Sequence, residues 1–359
     1  MKAIFRVSNI VGCAVMLAAI SLSLSASAQS FIDRQQAELS QKQPLWHTPR
    51  IPEGMQSGPL RKATARDSGA QALSLEARNV DFDVTGDIGF HIQHLAATLE
   101  PVTAGEPVQF DDPRTFAIRI HNGEVTIPPK ALNALFNRHI LEYAPRPLDD
   151  MKITTSKEGL AAKAGLKLWN WFPGVWLGAK LVGPITLNKN NEMVYSPQDV
   201  RVLGIPLGGL LRTLGIKLNW LLSVDREGAN LVGNELILNH RKVFPPPALS
   251  GNIASAELSE AGLHLVFADN PAAKFSTAPK EAKSYLWIQS GDAKLFDVIV
   301  ANANLLIVDE KKDDVLHFNL YDYRQQVLAG TLVMSEDGSI TARVPSYRHL
   351  AEKSGQKQQ

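Results

Sequence analysis

Two pairs of adjacent aspartates and a handful of histidines are the residues whose types and spacing suggest chemistry. Asp111-Asp112 and Asp149-Asp150 offer paired carboxyls, the general acid and base that hydrolysis of a glycosidic bond requires. His91-Ile92-Gln93-His94 offers two imidazoles near the spacing of a metal-binding pair. Each has a plainer reading. Both aspartate pairs stand beside proline or turn residues, where the side chain commonly bonds the local backbone. In a regular strand, residues three apart point to opposite faces, so His91 and His94 should diverge. His121, before Asn122-Gly123, and His139, within a helical pattern, read as partly buried structural residues. The chain has no G-x-S-x-G elbow, Walker loop, dinucleotide fingerprint or H-E-x-x-H motif. The expectation is a protein without catalytic residues, metal or cofactor.

The first 28 residues bear on where such a protein would work. Lys2 and Arg6 precede the apolar run Ile10–Leu24, and Ala26-Ser27-Ala28 is an A-x-A cleavage signal, so residues 1–28 read as a signal peptide, with an uncleaved anchor as the rival reading. The mature chain is then periplasmic or secreted. Cys13, the single cysteine of 359 residues, leaves with that segment, which excludes disulfide scaffolds, thiolate metal sites and cysteine nucleophiles. The whole chain has 37 basic and 36 acidic residues; losing Lys2 and Arg6 leaves 35 against 36, a formal charge of −1. A chain so balanced has no bulk attraction for nucleic acid.

With little polar chemistry to position, the apolar segments carry the functional reading. In Ile205–Leu222, Leu207, Leu210, Leu211, Leu214, Leu218, Leu221 and Leu222 recur at a helical period, which predicts one leucine stripe in need of a large apolar partner. Ile127–Glu142 predicts a second helix opened by Pro128 and Pro129. Its apolar face is Ala131, Leu132, Leu135, Phe136 and Ile140, with Asn133, Asn137, Arg138 and Glu142 toward water. Trp169, Trp171, Phe172 and Trp176 crowd one short connection; such rings suit the mouth of a groove or a membrane interface, or the plugged end of a core.

The remainder reads mostly as strands. Leu73–Val84 alternates apolar and polar residues with an irregularity near Asn79, and Phe90–Leu99 continues it after a turn at Gly86–Gly89. Phe116–Ile120 alternates up to a turn predicted at Asn122-Gly123. Met151–Ser156 and Leu160–Leu168 form a hairpin through Lys157-Glu158-Gly159, the small Ala162 and Ala164 leaving room opposite. Short strands follow to the end. The organisation expected is a signal peptide at 1–28, a proline-rich arm at 29–71, a sheet-and-helix domain at 72–270, a linker at 271–283, a β-rich unit at 284–346 and a polar tail at 347–359. The fold class expected is α+β: a strongly curved antiparallel sheet wrapped around two amphipathic helices, with a β-rich C-terminal extension.

Between Phe116 and Phe267 the chain resembles the tubular lipid-binding (TULIP-like) superfamily, in its small exported bacterial members. The resemblance rests on F-A-I-R-I-H-N-G-E-V-T-I-P-P-K-A-L-N-A-L-F-N, the strands L-A-A-K-A-G-L-K-L and G-A-K-L-V-G-P-I-T-L, the G-I-P-L-G-G-L-L helix and V-F-P-P-P-A-L-S-G-N-I. It implies a bent sheet rolled around helices, an elongated apolar lipid cavity and no cofactor. The residues it places along that cavity are Leu132, Leu135, Phe136, Leu207, Leu210, Leu211, Leu214 and Leu218, and Ile140 extends the first helix face. The function expected is binding or transfer of lipid in an apolar groove of the cell envelope, with peripheral membrane contact. A structural or adaptor protein with an envelope protein partner is the alternative, and a polysaccharide hydrolase the third reading.

Overall fold

Alternating apolar and polar residues build nearly everything in this molecule, and strands hold 57% of the described residues against 12% in helices. The structure, a computed structural model, describes residues 72–142, 148–166, 177–206, 218–221, 224–268, 282–296, 298–311, 314–336 and 338–350. The signal segment, the arm, the aromatic connection with Trp169, Trp171, Phe172 and Trp176, and Leu207, Leu210, Leu211 and Leu214 lie outside them. The chain divides into two compact units, and every element below belongs to the one formed by Trp46–Glu142 and Arg146–Gln359.

The main sheet grows outward from β1 (Leu73–Thr85) and β2 (Ile88–Pro101), an antiparallel pair whose buried residues alternate with half-exposed ones. Asn79 adopts a left-handed backbone (φ 50°), and it divides β1 into halves with different neighbours. After β3 (Val108–Gln109), β4 (Phe116–Ile127) lies beside β2. The turn expected at Asn122-Gly123 does not form, because β4 runs straight through it. Gly123 has φ +154° and a Cβ there would sit 2.7 Å from His94 O, so this glycine admits the close approach of β2 rather than a reversal.

Helix α1 (Pro129–Leu135) follows and widens into a π turn at Phe136–Ile140. Then come β5 (Leu148–Ser156), β6 (Gly159–Leu166), β7 (Leu177–Gly183), β8 (Ile185–Leu187), β9 (Met193–Tyr195), β10 (Asp199–Val202), β11 (Ile205–Pro206), the single turn α2 (Leu218–Leu221), β12 (Asp225–Arg226), β13 (Ala229–Val232) and β14 (Glu235–Leu238). These strands pair among themselves in two five-stranded sheets. The second sheet has the order β11-β10-β7-β6-β5 and the third β12-β13-β14-β9-β8. The chain crosses between them at Pro184, after β7, and returns at Pro197, before β10. Proline has no amide to donate to a ladder, so each crossing ends one sheet and starts the other.

The rest of the chain returns to the main sheet. β15 (Ala248–Ser250), β16 (Ile253–Ser259) and β17 (Gly262–Phe267) add to it on the β4 side, and β18 (Tyr285–Gln289) on the β1 side. β19 (Ala293–Leu295) and β20 (Val298–Val300) join β3 in a three-stranded sheet. β21 (Asn304–Asp309), β22 (Leu316–Asn319), helix α3 (Tyr323–Ala329), β23 (Thr331–Met334) and β24 (Ile340–Val344) complete the order β16-β17-β4-β2-β1-β18-β21-β24-β23, with β22 parallel to the second half of β1.

The expected α+β architecture, one curved sheet around two amphipathic helices, is therefore incorrect. The sheets are several, and α1 is seven residues long and packs beside an edge instead of filling a wrap. The residue types that seemed to give α1 a wet face explain this. Asn133 accepts from Ile153 N at 2.7 Å and donates to Ile153 O at 2.9 Å, and Asn137 does the same with Met151 N and O at 3.0 and 2.7 Å. Residues four apart on a helix meet residues two apart on a strand, so two amides replace the missing neighbour of edge strand β5. In the third sheet, Asn191 performs the same double bond with Ile253 of edge strand β16, at 2.8 and 2.7 Å.

Candidate functional site

The apolar faces of these layers meet around a cavity of about 80 Å³. Ile127 and Leu263 of the main sheet and Phe244 face it from one side. Leu132, Leu135 and Phe136 of the helical segment, with Leu141, form another wall. Ile153, Leu160, Ala162 and Leu181 contribute the inner face of the second sheet, and Ile185, Met193, Leu231, Leu236 and Leu238 that of the third. Leu218, at the start of α2, closes the ring, and Asn234 and Tyr195 are its polar members. Both are engaged. Asn234 Oδ1 accepts from Leu218 N at 2.8 Å, and the Tyr195 hydroxyl donates to Leu160 O at 3.2 Å. Burial raises the Tyr195 hydroxyl pKa far above its ordinary value, so it stays neutral.

Of the residues expected along a lipid groove, Leu132, Leu135, Phe136 and Leu218 thus converge on one cavity. Ile140 is buried, 3% exposed, in the same helical segment. Sequence reasoning missed the contributions of the second and third sheets, although Ala162 carried a signal in its small size.

The acid and base candidates disperse. Asp111 is tied to helix α3, where Tyr323 donates to its Oδ1 and Arg324 Nε does so at 2.6 Å; the arginine is 5% exposed and stacks over Phe296. Asp112 caps the turn at Pro113–Thr115 and pairs with Arg114, first through side-chain hydrogen bonds that hold its pKa down. Asp150 pairs with Lys152 at 3.1 Å. His121 lies 3.1 Å from Thr98 Oγ1, and burial holds its pKa below the ordinary histidine value. Burial, with Arg226 beside it, lowers His139 to about 4. None of these groups lines the apolar cavity, and the Asp149 side chain lies outside the described residues.

A polar row does form where the sequence showed only separate residues. Ile92 and Leu95 are both buried, because a bulge near Gln93 shifts the register of β2. His91 and His94 consequently share the outer face, contrary to the expectation that they diverge. The ladder then sets His264, Thr126, His91, Asp81 and His317 side by side across five strands. His91 Nδ1 lies 2.6 Å from Asp81 Oδ1, His317 Nδ1 lies 2.8 Å from Oδ2, and Arg348 covers the same oxygen at 3.0 Å. Burial works to raise the Asp81 pKa, but hydrogen bonds from His317 and His91 and their charges outweigh it and hold the carboxyl well below its usual range. Two positions on, Asp83 has no such partners among the described residues. Burial, reinforced by Asp81 and Asp87 against the opposing Arg348 and Lys130, raises it to about 7. Among the described residues, no group of three or more His, Cys, Asp or Glu could hold a metal ion, and no helix is long and apolar enough to cross a membrane.

Comparison with known proteins gives no match: no family model fits the sequence, and none of the curated proteins or solved structures matches it.

Proposed function

We propose that the protein binds the apolar chain of a lipid, or a ligand of similar shape, in the cavity between the sheets. One observation supports this reading above the others: side chains from the main sheet, the helical segment and both five-stranded sheets converge on a single space whose two polar members are already hydrogen-bonded. Such a space offers a ligand no charge and no open donor, and its affinity comes from burial at about 0.8 kcal/mol per methylene. At about 80 Å³ it exceeds the ~10–15 Å³ that admits one water, and it is smaller than the ~150 Å³ apolar cavity that takes benzene. It receives the end of a chain as it stands. A longer stretch enters when the second and third sheets, separate ladders joined through prolines, move apart. The lipid role suggested by the tubular lipid-binding resemblance agrees with this reading, and the exported setting suggested by residues 1–28 would place the protein beside membranes.

Protein purified without detergent should release lipid into organic solvent, detected by mass spectrometry, and should take up a fluorescent fatty-acid probe. Ala162→Phe, which fills the space from the second sheet, should reduce probe uptake at least several-fold while leaving Tm within a few degrees. Lipid-free protein without probe uptake overturns the reading. So does a collapse of Tm in Ala162→Phe with uptake unchanged in the remaining folded fraction, since that describes a filled core.

A further inference from the structure

The outward face of the second sheet carries an arrangement that works against the stability of its own ladder. The register sets Lys152 opposite Lys163, Lys163 opposite Lys180, and Lys180 opposite Arg201, so four exposed cations stand in one row across β5, β6, β7 and β10. With strands about 4.8 Å apart the row spans roughly 14 Å. Like charges directly opposite one another destabilise an antiparallel pair. Carboxylates relieve the ends alone: Asp150 lies 3.1 Å from Lys152 and Asp199 lies 2.9 Å from Arg201. Lys163 and Lys180, in the middle, have no ion-pair partner among the described residues. Beside them Gly165 pairs with Gly178, which leaves bare backbone, and with Gly204 this forms the floor of an open groove of about 450 Å³ along the row.

We propose that this face docks on the anionic headgroups of a phospholipid surface, with Lys163 and Lys180 taking phosphate oxygens and the glycine floor admitting the headgroup. An exposed row of cations with unanswered charge in its middle is complementary to a surface of anions. The other side of the same strands favours lipid over an acidic polymer. Leu160, Ala162 and Leu181 alternate with the lysines along β6 and β7 and line the apolar cavity. One sheet therefore presents cations outward and a hydrocarbon wall inward. The sequence that joins β6 to β7, residues 167–176, lies outside the described residues, and it holds three of the chain's six tryptophans. The docking inference does not require the cavity to be occupied.

Cosedimentation of the full chain with vesicles tests it. Binding is expected to mixed phosphatidylglycerol–phosphatidylethanolamine vesicles and not to phosphatidylcholine vesicles, and it should weaken as salt is raised to about 0.5 M. Lys163→Glu with Lys180→Glu should weaken it at least ~10-fold, whereas Lys157→Glu with Lys189→Glu, two turn lysines elsewhere, should bind as the parent does. The charge reversal relieves repulsion, so Tm should hold or rise. If it falls, Lys163→Gln with Lys180→Gln is judged by a reduced threshold of several-fold. No binding to acidic vesicles, equal binding to neutral ones, or equal binding by the row and control variants would each overturn the proposal. Row-dependent retention on heparin without vesicle binding would also overturn it, by assigning the row to an acidic polymer. Because vesicle binding and solvent-extractable ligand are separate readouts, failure of one leaves the other standing.

Discussion

On the main sheet Asp81 stands between His91 and His317; on the second sheet Lys163 stands between Lys152 and Lys180. Both rows are made by the same means, direct cross-strand register on an outward face. They differ in where the opposing charge comes from. The first contains its own, since the carboxylate lies within 2.8 Å of both imidazole nitrogens and Arg348 covers it. The second has carboxylates at its ends and none at its centre. A row that answers its own charge contributes to folding and needs nothing from outside. A row that does not answer it opposes folding until an external anion arrives, and this asymmetry makes the second sheet the better candidate for a contact surface.

The largest expected effect comes from removing the centre of the answered row. Asp81→Ala leaves His91, His317 and Arg348 without their shared acceptor and should cost about 1–3 kcal/mol in denaturant unfolding near neutral pH. That loss should shrink as pH falls below about 4. The folded-state pKa of Asp81 is depressed, so its contribution is full above the unfolded value of about 3.8 and disappears as acid protonates it. A loss of equal size at every pH would mean that shape rather than charge holds the row. The opposite sign should appear two residues away. Asp83 is raised to about 7, so the folded chain keeps a proton that the unfolded chain releases, and stability falls as pH rises from about 4 to about 7. Asp83→Asn should therefore gain in Tm relative to the parent at pH ~8, and gain little at pH ~4. The smallest effect belongs to the unanswered row. Lys163→Glu places opposite charges across from both Lys152 and Lys180 and should stabilise by about 0.2–1 kcal/mol, a gain that added salt erases. A loss on that change would end the contrast between the rows.

Individual strands were legible because a half-buried strand writes its burial in every second residue, as Leu73, Leu75 and Ala77 do. Even the irregularity near Asn79 was visible, and it falls where β1 changes partners. What pairs with what was legible only across tight turns. The hairpin expected through Lys157-Glu158-Gly159 brings the right strands together but would set Lys152 opposite Ala164; the turn is Lys157-Glu158 alone, Gly159 pairs with Ser156, and Lys152 faces Lys163. The match of Lys163 to Lys180 spans a longer connection, and no local pattern records it. Polar residues misled most. Asn133 and Asn137 looked like a wet helix face because sequence periodicity sees polarity and cannot see a sheet edge that requires it. Gly123 looked like a turn for a related reason: a glycine that clears space for a neighbouring strand and one that reverses the chain are the same letter. The helical wall of the candidate site was visible for the converse reason. Leu132, Leu135 and Phe136 follow a helical repeat, whereas the sheet residues opposite them become one wall only after three ladders are assembled.

The two amides that join the helical segment to β5, Asn133 in α1 and Asn137 in the π turn that follows it, also set a limit on that segment. Four residues of helix advance about 6.0 Å and two residues of strand about 6.7 Å, so successive bonds between them slip by roughly 0.7 Å per step. Two contacts absorb one such slip; a third would begin to miss its target. A longer rod laid along this edge would gain no further grip than Asn133 and Asn137 already give, the second of them just past the end of α1.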